Sequence, residues 1–202
     1  MITLVGAGGH AKVVFESMPT HAGQYCNVVI IRDDAGSNPD RRFMGLVIET
    51  PALLEDMNGI NLHVAIGDNA TRQRILTEGC KRGACLHTII HKRSHVCDVE
   101  AIGAGTFVAS GAIVSVQASV SDGVIVNHNA VVDHDCFLGA FCHVAPGAVL
   151  GGNVILGQRV MIGAGAVVLP NIIIEDDVIV GAGSVVTKPI SQGKTWVGNK
   201  LA

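Results

Sequence analysis

His134 lies between two carboxylates in the run Val132-Asp133-His134-Asp135. An imidazole beside a carboxylate can act as a general base, because the carboxylate holds the ring tautomer and stabilises the imidazolium as it forms. The run closes a polar stretch, Asn127 to Asp135, that interrupts an otherwise aliphatic and glycine-rich sequence. A second candidate group sits near the start of the chain. Gly6-Ala7-Gly8-Gly9-His10-Ala11 follows a short apolar run and fits the pattern G-x-G-x-x-A. Backbone N–H groups at such a helix start favour a phosphate or pyrophosphate. Asp33 and Asp34, after a second apolar run, have the chemistry to accept hydrogen bonds from a ribose or a base.

The elements that would position these groups fall into two kinds. Ile2–Val5, Val28–Ile31 and His63–Ile66 read as short strands, and Ala11–Met18 and Ala70–Lys81 as helices. Thr50-Pro51 ahead of Ala52–Met57 reads as a third, capped helix with proline at its first position. Strands alternating with helices imply a parallel, Rossmann-like α/β sheet over residues 1–88. His10, Gly67 and Asn69 then fall at the carboxyl ends of strands, where open α/β sheets bind ligands.

From about Ile90 the period changes. Aliphatic residues recur at every sixth position from Val96 to Val186, sixteen times without a break. A small or β-branched residue such as Ala112, Ala130 or Cys142 stands two places before each, and glycine often follows the aliphatic. This is a repeat architecture. Each hexad makes a short strand and a corner, three hexads make a triangular coil of 18 residues, and coils stack as parallel strands about 4.8 Å apart. The aliphatic points into the prism, and glycine or a small polar residue takes the corner. The repeat spans 89–190, and the tail 191–202 leaves it, with Trp196 placed to cover the open end. Counting in units of 18 puts Gly152 one coil above His134 at the same corner. A glycine there lets a ligand approach its backbone N–H closely. His143, half a coil beyond His134, falls on another side of the prism.

The chain of 202 residues carries a formal charge of −3, with 15% charged and 3% aromatic residues, so no basic footprint points to nucleic acid. No apolar run is long enough to span a membrane, and Met1–Gly9 has no signal-peptide pattern. Cys26, Cys80, Cys85, Cys97, Cys136 and Cys142 form no CxxC pair and are expected to be reduced and mostly buried in a cytoplasmic protein.

The GAGGH turn, the Asp33-Asp34 pair, Val64-Ala65-Ile66-Gly67-Asp68-Asn69, the unbroken hexads and the run VNHNAVVDHDC together resemble one family. It comprises the hexapeptide-repeat sugar O- and N-acyltransferases related to the bacillosamine-pathway UDP-4-amino-sugar N-acetyltransferase and the sialic acid O-acetyltransferase. The resemblance covers essentially the whole chain and implies that the repeat is a left-handed parallel β-helix. It further implies acetyl transfer from acetyl-CoA to the amino group of a nucleotide-linked sugar, a UDP-4-amino-4,6-dideoxy sugar above all, in homotrimers with active sites between neighbouring β-helices. No metal is implied.

On that resemblance His134 is the general base, and Asp135 stands where the family has glutamate. The shorter arm leaves Asp133 as an alternative partner. His143 matches a histidine that contacts the acetyl group, and in a trimer it would face His134 of the next subunit. Gly152 would supply an oxyanion N–H, and Ala164 and Ala182 would line the pantetheine groove. Asn127 matches a position near the acceptor sugar. Gly8, Gly9, His10, Asp33, Asp34, Gly67 and Asn69 would hold the nucleotide sugar. The C-terminal Val197-Gly198-Asn199-Lys200 departs from the family's Gly-x-Pro-Ala ending.

Other classes fit less well. O-acetylation of a sialic-acid-type sugar is the near neighbour. A zinc lyase on the same helix needs histidines 36 and five residues apart, and no pair here has either spacing. His87, His91 and His95 are poorly disposed for zinc, and His128 reads as structural. An NAD-binding fold needs twice this α/β length. A non-catalytic nucleotide-sugar-binding protein would not require the polar run 127–135.

Overall fold

The computed structural model describes residues 1–18, 29–34 and 42–201. Cys26 and Val28 lie outside the described residues. The chain divides into two compact units, Met1–Ile89 and Ile90–Ala202.

The first unit holds β1 (Ile2–Val5), α1 (Gly9–Glu16), β2 (Val29–Arg32), β3 (Arg42–Phe43), β4 (Leu46–Glu49), β5 (Asn61–Val64), α2 (Asn69–Lys81) and β6 (Cys85–Leu86). The sheet order is β3-β4-β2-β1-β5-β6. All pairs are parallel except β3 with β4. Thr3, Leu4 and Val5 of β1 are all buried, as expected of a central parallel strand covered on both faces. The sequence gives no alternating signal for the short β3–β4 hairpin, which turns at Met44 and Gly45, both at positive φ.

The helix expected over Ala52–Met57 does not form. Tertiary partners satisfy its backbone instead: Asp34 accepts from the Ala52 N–H at 2.7 Å, Arg82 Nη1 donates to the Leu54 carbonyl at 3.0 Å, and Met57 N–H donates to Arg82 O. A six-residue helix with so few local advantages loses to those contacts.

The second unit is the left-handed parallel β-helix. Its first face carries strands such as Phe107–Val108, Ile125–Val126, His143–Val144 and Met161–Ile162. The second carries Ile113–Val114, Val131–Val132, Val149–Leu150 and Val167–Val168, and the third Phe137–Leu138, Ile155–Leu156 and Ile173–Ile174. Partners among these strands are 18 residues apart, as Val131 with Val149, and the tail shortens the last rung to 16, pairing Val180 with Trp196. The second residue of each strand points inward, and Val114, Val132, Leu138, Val144, Leu150 and Leu156 are buried in one continuous core. The small interior residues also bond: Cys136 Sγ donates to Gly151 O and Cys142 Sγ to Gly157 O.

The corner differs from its sequence-based form. The left-handed residue is the third after the aliphatic, at Gly111, Gln117, Asn129, Asp135, Phe141 and Asn153 among others. Glycine immediately after the aliphatic has a different reason. A Cβ on Gly139 would stand 2.5 Å from the carbonyl of Gly157 in the next coil. Trp196 takes the inward position above Val180, fully buried. Its Nε1 donates to Val185 O and Gly198 O at 3.1 and 3.2 Å. Of the described cysteines, Cys136 and Cys142 are buried, but Cys80, Cys85 and Cys97 are exposed, against expectation. They lie on α2, on an edge strand and at a corner, outside either core. All five are free thiols.

His63 in β5 is fully buried, its Nδ1 2.8 Å from the His87 carbonyl, and burial holds its pKa down at about 4. A histidine depressed in the folded state stabilises the fold above its ordinary pKa and withdraws that stability as pH falls toward the folded value. The thermal stability of the first unit should fall as pH drops from 6.5 to 4, by roughly 3 kcal/mol in the limit. A His63→Asn variant should show a shallower loss over that window, and an identical slope would exclude His63 as its source.

Candidate functional site

Two groups of expected residues come together in the β-helix. At the corner between the second and third faces, His134 Nδ1 lies 2.7 Å from Asp135 Oδ2. Asp133 takes a different part: its Oδ1 accepts from the backbone N–H of His134 at 2.8 Å. The aspartate therefore reaches the imidazole despite its short arm. Asp135 occupies the left-handed corner position, with φ +61°, and aspartate tolerates that conformation better than most residues. The His134 side chain is 55% exposed. The hydrogen bond to Asp135, then the charge of Asp133, raise its pKa above the ordinary 6.5. One coil above, Gly152 lies against the ring, and a Cβ there would come within 2.5 Å of His134 Nε2.

At the corner between the first and second faces, His143 and Asn127 are both buried. Asn127 Nδ2 donates to His143 Nε2 at 3.1 Å, which assigns the proton of a neutral ring to Nδ1. Asn127 Oδ1 accepts from the His128 N–H. Further along this corner Ala164 and Ala182 are exposed between glycines, stacked through Gly183 N–H to Ala164 O. The two groups occupy different corners of one prism. Within a chain, His134, Asp135 and Gly152 meet, and Asn127 and His143 meet, but the pairs do not join.

In the first unit, Gly8 caps α1 and Gly9 opens it. A Cβ on either would meet nothing within 4 Å, so packing does not explain these two glycines; His10 follows them, with its Nε2 buried. Gly6 is different: its φ is +115° and a Cβ would meet Ala65 O at 2.9 Å. Asp33 Oδ2 accepts from the Ala7 N–H at 2.8 Å, bracing the turn. Asp34 lines a cavity of about 210 Å³ with Pro51, Ala52, Leu53, Arg74 and Arg82. Sequence reasoning missed Arg72, which is fully buried. It donates to Gly67 O at 3.1 Å and Asn69 Oδ1 at 2.8 Å, so one guanidinium holds both expected residues at the carboxyl end of β5. A lone arginine on a polar helix carries no signal of this.

Among the described residues, no group of three or more His, Cys, Asp or Glu side chains could hold a metal ion, and no helix is long and apolar enough to cross a membrane.

Residues 1–78 match the PglD N-terminal domain family, and residues 153–188 match the bacterial transferase hexapeptide (six repeats) family. Among solved structures, the acetyltransferase domain of PglB from Neisseria gonorrhoeae is 34% identical over 100% of this chain and 98% of its own, with a TM-score of 0.85. The same domain in complex with acetyl coenzyme A aligns at 32% identity over 100% and 97%, TM-score 0.83. A histidine-to-alanine mutant of GDP-perosamine N-acetyltransferase from Caulobacter crescentus, in complex with CoA and GDP-perosamine, aligns at 35% identity over 100% and 96%, TM-score 0.86. The search of curated proteins finds no match.

Asp135→Asn should lower the pKa of His134 toward its ordinary value, read by NMR titration of the imidazole. An unchanged titration would show that the contact has no electrostatic weight.

Proposed function

Since the chain belongs to the sugar N-acetyltransferases of the bacillosamine and perosamine type, we propose a specific reaction for it, with His134 as general base. Acetyl-CoA is the acyl donor, and an amino group on a nucleotide-linked sugar is the acceptor. The acceptor we favour is a UDP-linked 4-amino-4,6-dideoxy sugar. The observation that carries the mechanism is the Asp135–His134 contact.

In that mechanism the acceptor nitrogen attacks the thioester carbonyl while His134 Nε2 takes its proton. Asp135 on Nδ1 keeps Nε2 the proton-accepting nitrogen and stabilises the imidazolium. The Gly152 N–H stabilises the oxyanion. The C–S bond then breaks, and the CoA thiolate leaves with the proton that His134 returns. His143, held by Asn127, orients the acetyl group, Asn127 stands toward the acceptor sugar, and Ala164 and Ala182 line the pantetheine path.

Nucleotide phosphates fit the open start of α1 at Gly8, Gly9 and His10. Asp33, Asp34, Gly67 and Asn69 border that edge. The GDP-perosamine in a relative's complex makes a GDP-linked acceptor the second reading, and O-acetylation of a sialic-acid-type sugar the third.

The working form we propose is a homotrimer. Its support is the apolar exterior on both faces that flank the His134 corner: Ile113, Val185, Phe137, Ile155 and Ile173 are all at least 37% exposed. Exposed apolar surface of this extent marks an interface, and a cyclic arrangement would set one chain's His134 corner against another's His143 corner.

His134→Ala should lower kcat by about 10²- to 10⁴-fold and leave acetyl-CoA affinity nearly unchanged, in assays offering UDP-linked, GDP-linked and free amino sugars and sialic acid. Full activity in the variant would refute the base assignment. Transfer to sialic acid alone would refute N-acetylation.

A further inference from the structure

Glycine at position 152 is not required by the corner itself. In successive coils the equivalent residues are Val116, His134, Gly152 and Pro170. They are aligned by matching bonds, Asp135 N–H to Val116 O, Asn153 N–H to His134 O and Asn171 N–H to Gly152 O. Three side-chain-bearing residues therefore fit this backbone. Gly152 is outside the left-handed region, so conformational freedom does not demand it either.

What distinguishes the position is its neighbour below. A Cβ on Gly152 would stand 2.5 Å from both Cε1 and Nε2 of His134 and 3.2 Å from Cδ2. Real Cβ contacts do not come that close. The neighbouring glycine has another reason, since a Cβ on Gly151 would meet the ring of Pro170. Val116, His134 and Pro170 are exposed, whereas Gly152 is buried, as a residue covered by an aromatic ring would be.

We propose that Gly152 is a positioning residue whose missing side chain forms the seat for the His134 imidazole. The seat fixes the ring between two constraints. Asp135 holds Nδ1 from the side, and the bare Cα of Gly152 supports the opposite edge, which carries Nε2. An alanine would press the ring off that surface and away from Asp135. The ring is exposed enough to swing into solvent, so the fold survives the substitution while the geometry of the base does not. The proposal rests on His134 being the base, and it is separate from the Gly152 N–H, which alanine retains.

The test compares Gly152→Ala, His134→Ala and the double variant. Gly152→Ala should unfold at the wild-type temperature, bind acetyl-CoA with near-wild-type affinity, and lose at least about 10-fold in kcat. The pKa of His134 should move toward its ordinary value, carrying the acid limb of the pH–rate profile to lower pH. In the His134→Ala background the same substitution should change nothing further. Gly152→Ala with wild-type kcat and an unaltered His134 titration, while His134→Ala is inactive, would overturn the seat alone. Equal weakening of acetyl-CoA binding in both backgrounds would also overturn it, by showing that Gly152 acts on the donor. A fully active His134→Ala would overturn the base reading and the seat together.

Discussion

Each coil of the β-helix can lie on the next only if the same inward position recurs every six residues and the same rung every 18. Parallel backbone bonds such as Phe137 N–H to Val154 O and Ile155 N–H to Ile172 O tie successive coils. Below the Trp196 cap the prism is narrow, and Val, Ile, Leu, Ala and Cys fill it. A one-residue slip would turn the buried set outward. Register is therefore strongly specified, and side chains outside the prism fall into columns whose membership is fixed by arithmetic.

That constraint creates the chemistry at the corners. The left-handed corner residue accommodates Asp135, which brings its carboxylate to His134. The 18-residue stack sets Gly152 against the ring. The same stack places Asn127 and His143 at another corner, within hydrogen-bonding distance. A rigid rod cannot fold those corners together, so on the proposed mechanism a second copy of the chain completes the site. The α/β unit obeys different rules: its buried Arg72 and its braced glycine turn shape the carboxyl edge of the sheet, the edge proposed above to bind the nucleotide.

The hexads were legible because a period of six repeats itself sixteen times and each match reinforces the others. The α/β strands were legible from apolar runs, within one or two residues. Less was readable where the deciding partner is distant in sequence. Ala52–Met57 has a helix-like start, but Asp34 and Arg82 take its backbone groups. The β3–β4 hairpin has strands too short to show alternation. The choice of Asp135 over Asp133 depended on corner dihedrals, not on spacing. Glycines after the aliphatic read as corner residues, whereas Gly139 is small because the next coil's backbone is close.

The proposed site is divided between two chains, and subunit mixing tests that division most directly. His134→Ala and Asn127→Ala chains, each inactive as pure oligomers, would be unfolded together, refolded as mixed assemblies and assayed for acetyl transfer. A shared site predicts that activity returns to roughly a quarter of the wild-type rate, the statistical share of interfaces with both intact corners. Mixed assemblies as inactive as either parent would contradict it, because both corners would then have to belong to one chain.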